Sequence, residues 1–121
     1  METINLENRI YPVRYRVVTK EMKSLGLDRN PTILQYPINE WYFLPKDKIK
    51  IGKDDVGGIW VTRKLCDAKR MSKYMMNRYE TETRIFKAVI DRVLFENNYR
   101  IKTNGILLLE ELFFNENLKT H

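Results

Sequence analysis

The chain has one cysteine and one histidine in 121 residues, and both scarcities narrow its chemistry. A single cysteine excludes an internal disulfide and any all-cysteine metal site. The only histidine is His121, the last residue. That removes Ser/His/Asp and Cys/His catalysis in their usual forms, together with a conventional zinc site. Glycine and proline are also sparse, at 5 and 4 residues. Gly57-Gly58 precedes a strand-like run and lacks the GxGxxG or Walker spacing, so it reads as a turn and not as a phosphate cradle. No stretch approaches the roughly 18–20 continuous apolar residues of a membrane-spanning helix. The acidic opening, Met1 to Glu7, lacks the basic-then-apolar order of a secretory signal, which points to a cytoplasmic protein. No cofactor-binding or metal-binding signature is present, and no membrane partner is expected.

What the chain does have is charge in one place. Its formal +6 is concentrated in residues 41–80, which hold 10 Lys and Arg against 5 Asp and Glu. A local basic face makes a field that anions feel, whereas dispersed lysines mainly serve solubility. With 43% hydrophobic and 12% aromatic residues the chain also has the material for a core, and its length fits one domain.

Residues 10–18 alternate from Val13 onward. They predict a half-buried strand with Val13, Tyr15 and Val17 on one face and Arg14 and Arg16 on the other. The spacing predicts a short helix over 20–25 capped by Thr19, a turn at 28–31, and β-prone pieces at 32–35 and 40–43 separated by Pro37. The lysine-rich run 46–53 leads through a loop into a short buried strand at 59–61. Residues 63–79 contain neither Gly nor Pro and predict a helix with Thr62 as its N-cap. At about 100° per residue, Leu65, Ala68, Met71, Ser72, Met75, Met76 and Tyr79 share one arc. The β-branched content of 84–96 favours strand over helix. Asn104-Gly105 predicts a two-residue type I′ hairpin turn between 99–103 and 106–109. The expected fold is α+β: a single domain over 1–121, with a core over 8–114 and a flexible tail over 115–121. A mostly antiparallel sheet packs against one main amphipathic helix, with a C-terminal β-hairpin.

The outward side of the predicted helix supplies the leading candidate site. Arg63, Lys69, Arg70, Lys73 and Arg78 are there to neutralise phosphates, and Tyr74 lies between Arg70 and Arg78 to stack on an unpaired base. Asp67 is the only acid between residues 56 and 79. An ordinary solvated helix face is the plainer explanation of the same residues. Lys48, Lys50 and Lys53 extend the surface if their loop lies beside the helix. Arg14 and Arg16 either contact phosphates or pair with Glu110 or Glu111 across the sheet. Cys66 falls among cations near the helix start, the setting of a reactive thiol, although it has no histidine partner.

Three function classes follow. The first is a basic, non-enzymatic binding protein whose helix contacts nucleic acid or another polyanion. The second is a protein-interaction module that docks an acidic protein surface, with Trp41, Tyr42 and Phe43 as anchors. The third is enzymatic, a metal-dependent nuclease built on Asp47, Asp54 and Asp55. A leading strand with Tyr15-Arg16, Gly58-Ile59-Trp60 entering a helix, and strands ending in Leu109-Glu110-Glu111 together resemble the order of ADP-ribosyltransferase-like domains. The resemblance implies a second enzymatic possibility. The histidine and threonine of that family's nicotinamide pocket have no counterpart here, so no residue role is carried across. A short basic chain of this kind also resembles the orphan gene products of viruses and mobile elements, which would place it in a host cytoplasm. A homodimer through the 40–43 edge is open.

Overall fold

In a computed structural model, which describes residues 2–25, 36–53 and 56–114, the chain opens with a small hairpin. Its strands are β1 (Thr3–Leu6) and β2 (Arg9–Pro12), with Leu6 opposite Arg9. The two loop residues, Glu7 and Asn8, have φ of 50° and 66°, as a type I′ turn requires. The main sheet has seven strands: β3 (Arg14–Thr19), β4 (Trp41–Phe43), β5 (Ile59–Thr62), β6 (Thr83–Ile90), β7 (Val93–Glu96), β8 (Arg100–Thr103) and β9 (Gly105–Phe114). Their order is β4-β9-β6-β3-β5-β8-β7, and every ladder between them is antiparallel. One helix, α1 (Leu65–Tyr79), links β5 to β6. This is the α+β arrangement, with its mostly antiparallel sheet packed against one main amphipathic helix, that the sequence predicts.

The C-terminal hairpin is present, but its turn is not at Asn104-Gly105. β6 pairs with β9, and after a short joint β7 pairs with β8, so residues 83–96 and 100–114 are the two arms of one long hairpin turning at residues 97–99. Neither Asn104 nor Gly105 has a positive φ, which a type I′ turn needs at both positions. Asn104 instead fastens the joint between the arms. Its Nδ2 donates to Asp91 Oδ2 at 2.9 Å, its Oδ1 accepts from the Arg92 N–H at 2.9 Å, and the Asp91 N–H donates to Gly105 O at 3.0 Å. Beyond the joint, β6 neighbours β3 while β8 neighbours β5, and β3 and β5 neighbour each other. Those pairings bring the two halves of the hairpin into one sheet that curls back on itself.

Register defines the two faces. Arg16 lies opposite Phe86 and Arg14 opposite Ala88, so these four, with Val18 and Ile90, point to one side. That inner side holds the larger core, which joins Val18, Ile59, Val61, Phe86, Ala88, Ile101, Ile106, Leu108 and Tyr36. The outer side carries Val17 and Ile85, and α1 packs there through buried Ala68, with Leu65 and Met71 partly covered. Ser72 and Thr83, both buried, share a hydroxyl–hydroxyl hydrogen bond at that seam.

Several local expectations are corrected. Residues 20–23 form a turn, not a helix, because Met22 adopts a left-handed φ of 69° and the Thr19 hydroxyl accepts from the Lys23 N–H. Thr62 does not cap α1: it is the last, buried residue of β5, its hydroxyl donates to Lys64 O, and Lys64 takes the N-cap position. Tyr79 is 46% exposed and leaves the apolar arc, since α1 ends there on a left-handed Glu80. The 46–53 run forms a 3-10 turn at Lys46–Lys48 and a loop. The turn at 28–31, the piece at 32–35 and the tail at 115–121 lie outside the described residues.

Arg84 clamps the far end of the β6–β9 ladder. Its Nε and Nη2 donate to Glu111 Oε2 and Oε1 at 2.9 and 2.8 Å, a bidentate pair. The Arg84 hydrogen bond holds the Glu111 carboxyl below its ordinary pKa, against a smaller opposing effect of burial. A lowered carboxylate contributes stability above its unfolded value of about 4.3, and that contribution is lost as pH falls through the folded value. Both groups are partly exposed, so screening limits the gain. Glu111→Gln is therefore expected to cost ~0.5–1 kcal/mol in urea unfolding at pH 7 and progressively less as pH falls below the ordinary carboxylate range. A cost that stays constant as pH falls through the carboxylate range would assign the effect to packing.

Candidate nucleic-acid interface

The face of α1 turned away from the sheet is built by helical spacing. Ala68, Ser72 and Met75 are the buried residues of the helix. Cys66, Lys69, Arg70, Lys73, Tyr74, Asn77 and Arg78 are exposed. Lys69 and Lys73 are neighbours one turn apart, as are Arg70 and Tyr74, and Tyr74 and Arg78. Five of the six residues expected at this face therefore form one connected surface.

The sixth does not. Arg63 precedes the helix and turns toward the long hairpin, where its Nη2 pairs with Glu96 Oε2 and its Nε donates to Asn97 O at 3.0 Å. The strand-to-helix junction puts Arg63 beside the end of β7, and its charge is spent there. Arg70 meets the only acid of the helix, with Nη1 3.4 Å from Asp67 Oδ1, but its side chain is 74% exposed, so the pair is weak. Asp67 in the first turn and Arg78 in the last also complement the helix dipole, which is a structural reason for both. Tyr74 is 52% exposed. Its ring meets Tyr79 edge-on at 6.1 Å, and the Arg78 guanidinium lies 6.0 Å from the Tyr79 ring.

The lysine loop does not join this surface. Lys48 and Lys50 line an open cleft of about 510 Å³ with Tyr42, Leu44 and Gly58, at the start of β5. The helix follows the other end of that strand, about 10 Å away at 3.3 Å per residue. Of the carboxylates proposed for magnesium, Asp47 is exposed on the 3-10 turn, whereas Asp54 and Asp55 lie outside the described residues.

The aromatic run on β4 divides between two faces because it is a strand. Trp41 and Phe43 stack at 5.4 Å and 14°, with Tyr11 at 6.0 Å from Trp41, and Phe43 is 50% exposed. Tyr42 points inward against the core and meets Tyr36 edge-on at 5.6 Å. Burial, and secondarily Tyr36, pushes the Tyr42 hydroxyl above its ordinary pKa. Tyr42 is thus not part of an exposed anchor.

Two basic residues lie where the alternation gave no warning. Lys102 is fully buried, with its Nζ donating to Gly52 O at 3.0 Å, and Arg16 is 7% exposed. Neither Arg14 nor Arg16 pairs with Glu110 or Glu111: Glu111 is held by Arg84, and Glu110 lies 3.9 Å from Lys87. Arg16 Nη1 donates to Trp60 O and Nη2 to the Tyr36 hydroxyl, both at 2.9 Å. Among the described residues, no helix is long and apolar enough to cross a membrane. No family model, curated protein or solved structure matches the chain, so the chemistry of these faces is what bears on function.

Proposed function

We propose that the protein binds nucleic acid or a similar polyanion through the outer face of α1, without catalysis. The observation that carries this reading is the exposed, connected set Lys69, Arg70, Lys73 and Arg78 around exposed Tyr74, on a helix whose sequence holds one acid, Asp67. Like charges one turn apart cost a helix a few tenths of a kcal/mol per pair, a penalty that a bound phosphate backbone relieves. Phosphate contacts of this kind position a backbone and read no sequence, so broad specificity follows. Tyr74 adds stacking on unpaired bases, which favours single strands over duplex.

The test is a titration of a labelled single-stranded oligonucleotide between about 50 and 200 mM salt. Engagement of three to four phosphates predicts a slope of log affinity against log salt of about −2 to −3. The triple variant Lys69→Gln, Arg70→Gln and Lys73→Gln is expected to flatten that slope toward zero. Tyr74→Ala is expected to weaken single-strand binding by ~1–3 kcal/mol and to spare duplex binding. Absence of binding at 50 mM salt, or a slope that the triple variant leaves unchanged, removes the proposal.

A second reading rests on the stacked Trp41–Phe43 pair at the edge strand β4. Half-exposed aromatics at a sheet edge are the usual anchors of a protein interface, and the basic helix would then set orientation toward an acidic partner. Phe43→Ala separates the two, because helix-borne oligonucleotide binding is expected to survive it unchanged.

A further inference from the structure

The inner face of the central strand carries a different basic feature. Arg14 and Arg16, two residues apart on β3, point to the same side, opposite Ala88 and Phe86. The Nε–H groups of both are buried and have no hydrogen-bond partner. Buried donors are nearly always paired, so two orphans side by side on one face call for an acceptor. Arg16 has no freedom to find one elsewhere. Its two terminal nitrogens are fixed on Trp60 O and the Tyr36 hydroxyl, and its guanidinium carbon lies 4.8 Å from the Tyr36 ring centre. Among the described residues no carboxylate pairs with Arg14 or Arg16, and the nearby Glu96 is taken by Arg63.

We propose that Arg14 and Arg16 together bind one small oxyanion of the phosphate type, on the face of the sheet opposite α1. Residues two apart on a strand are separated by about 6.6 Å. Two charge-assisted N–H···O bonds of about 2.8 Å to different oxygens of one tetrahedral anion span that separation. The surroundings agree. Burial first, and the charge of Arg63 second, lower the Arg14 pKa from its ordinary value, and an anion between the arginines offsets both effects. The site is independent of the proposed helix surface, since α1 covers the side of the sheet that carries Val17 and Ile85.

The experiment is thermal unfolding with inorganic phosphate against chloride at equal ionic strength. A ligand that binds only the folded chain raises its unfolding midpoint, and about 10 mM phosphate is expected to add about 3 °C or more beyond chloride. Arg14→Gln is expected to abolish that shift, and Arg14→Lys, which keeps the charge and loses the Nε–H, to weaken phosphate at least about tenfold. The triple helix variant described above is expected to keep the shift in full, while Arg14→Gln keeps oligonucleotide binding. A parallel arm with glycerol 3-phosphate distinguishes the source: tighter binding than inorganic phosphate identifies an ester, and weaker binding the free ion. Equal midpoints in phosphate and chloride, a shift that survives Arg14→Gln, or a shift lost in the helix variant each overturns the proposal.

Discussion

Phe86→Ala is expected to lower the unfolding free energy by ~3–5 kcal/mol, or about 12–20 °C in midpoint for a chain of this size. Phe86 is the largest of the fully buried side chains and lies on the inner face of β6. It belongs to the cluster that joins β3, β5, β6, β8 and β9. Its ring also carries the Arg84 guanidinium at 5.3 Å from its centre, so the truncation opens a cavity and removes a cation–π contact together. Phe86→Leu, which keeps most of the volume, is expected to cost about a third as much. Urea unfolding checks both, and a loss below about 1 kcal/mol for the alanine variant would show that the core is not organised around this ring.

The second large effect comes from the smallest side chain. A Cβ added at Gly58 would lie 2.4 Å from Lys102 Cγ and 2.7 Å from Lys102 Cε. Gly58 has no positive φ, so its backbone would accept alanine and the obstacle is Lys102 itself. That lysine is fully buried and held by Gly52 O, so it cannot swing aside. Gly58→Ala is therefore expected to cost ~2–3 kcal/mol, at the upper end of overpacking. In a Lys102→Ala background the same change is expected to add less than about 0.5 kcal/mol, because the atoms it strikes are gone. Two costs that simply add would refute the collision.

The parts of the fold readable beforehand are those where local chemistry and tertiary demand agree. Residues 65–79 have a helical apolar stripe and no breaker, and they form α1. The alternation of Val13, Tyr15 and Val17 with Arg14 and Arg16 correctly divides the two faces of β3. The failures are places where a distant partner decides. Asn104-Gly105 has the best hairpin composition in the chain, yet the turn falls at 97–99. Asn97 Oδ1 accepts from the Tyr99 and Arg100 N–H groups there, while Asn104 is drawn to Asp91 and Arg92. Gly105 is small for another reason, since a Cβ there would lie 2.4 Å from Phe43 Cδ1, and nothing in either local sequence announces that approach.

The candidate site was legible to the same degree. Lys69, Arg70, Lys73, Tyr74 and Arg78 share a solvent face because helical spacing alone places them. Arg63 failed because a strand-to-helix junction aimed it at Glu96, a residue 33 positions away. Arg16 and Lys102 were invisible as buried cations, since alternation assigns every charged strand residue to water. Their partners, Trp60 O, the Tyr36 hydroxyl and Gly52 O, come from separate segments.

The curled sheet also dictates an order of events during synthesis. The central strand β3 takes one ladder from β6, and β6 in turn pairs with β9, the most C-terminal of the described strands. A nascent chain that has emerged only as far as Tyr79 therefore leaves one edge of β3 unpaired, and α1 lacks the β6 part of the surface it packs on. Synthesis must pass Phe114 before this sheet can close, and until then the half-made sheet exposes apolar surface of the kind that invites aggregation.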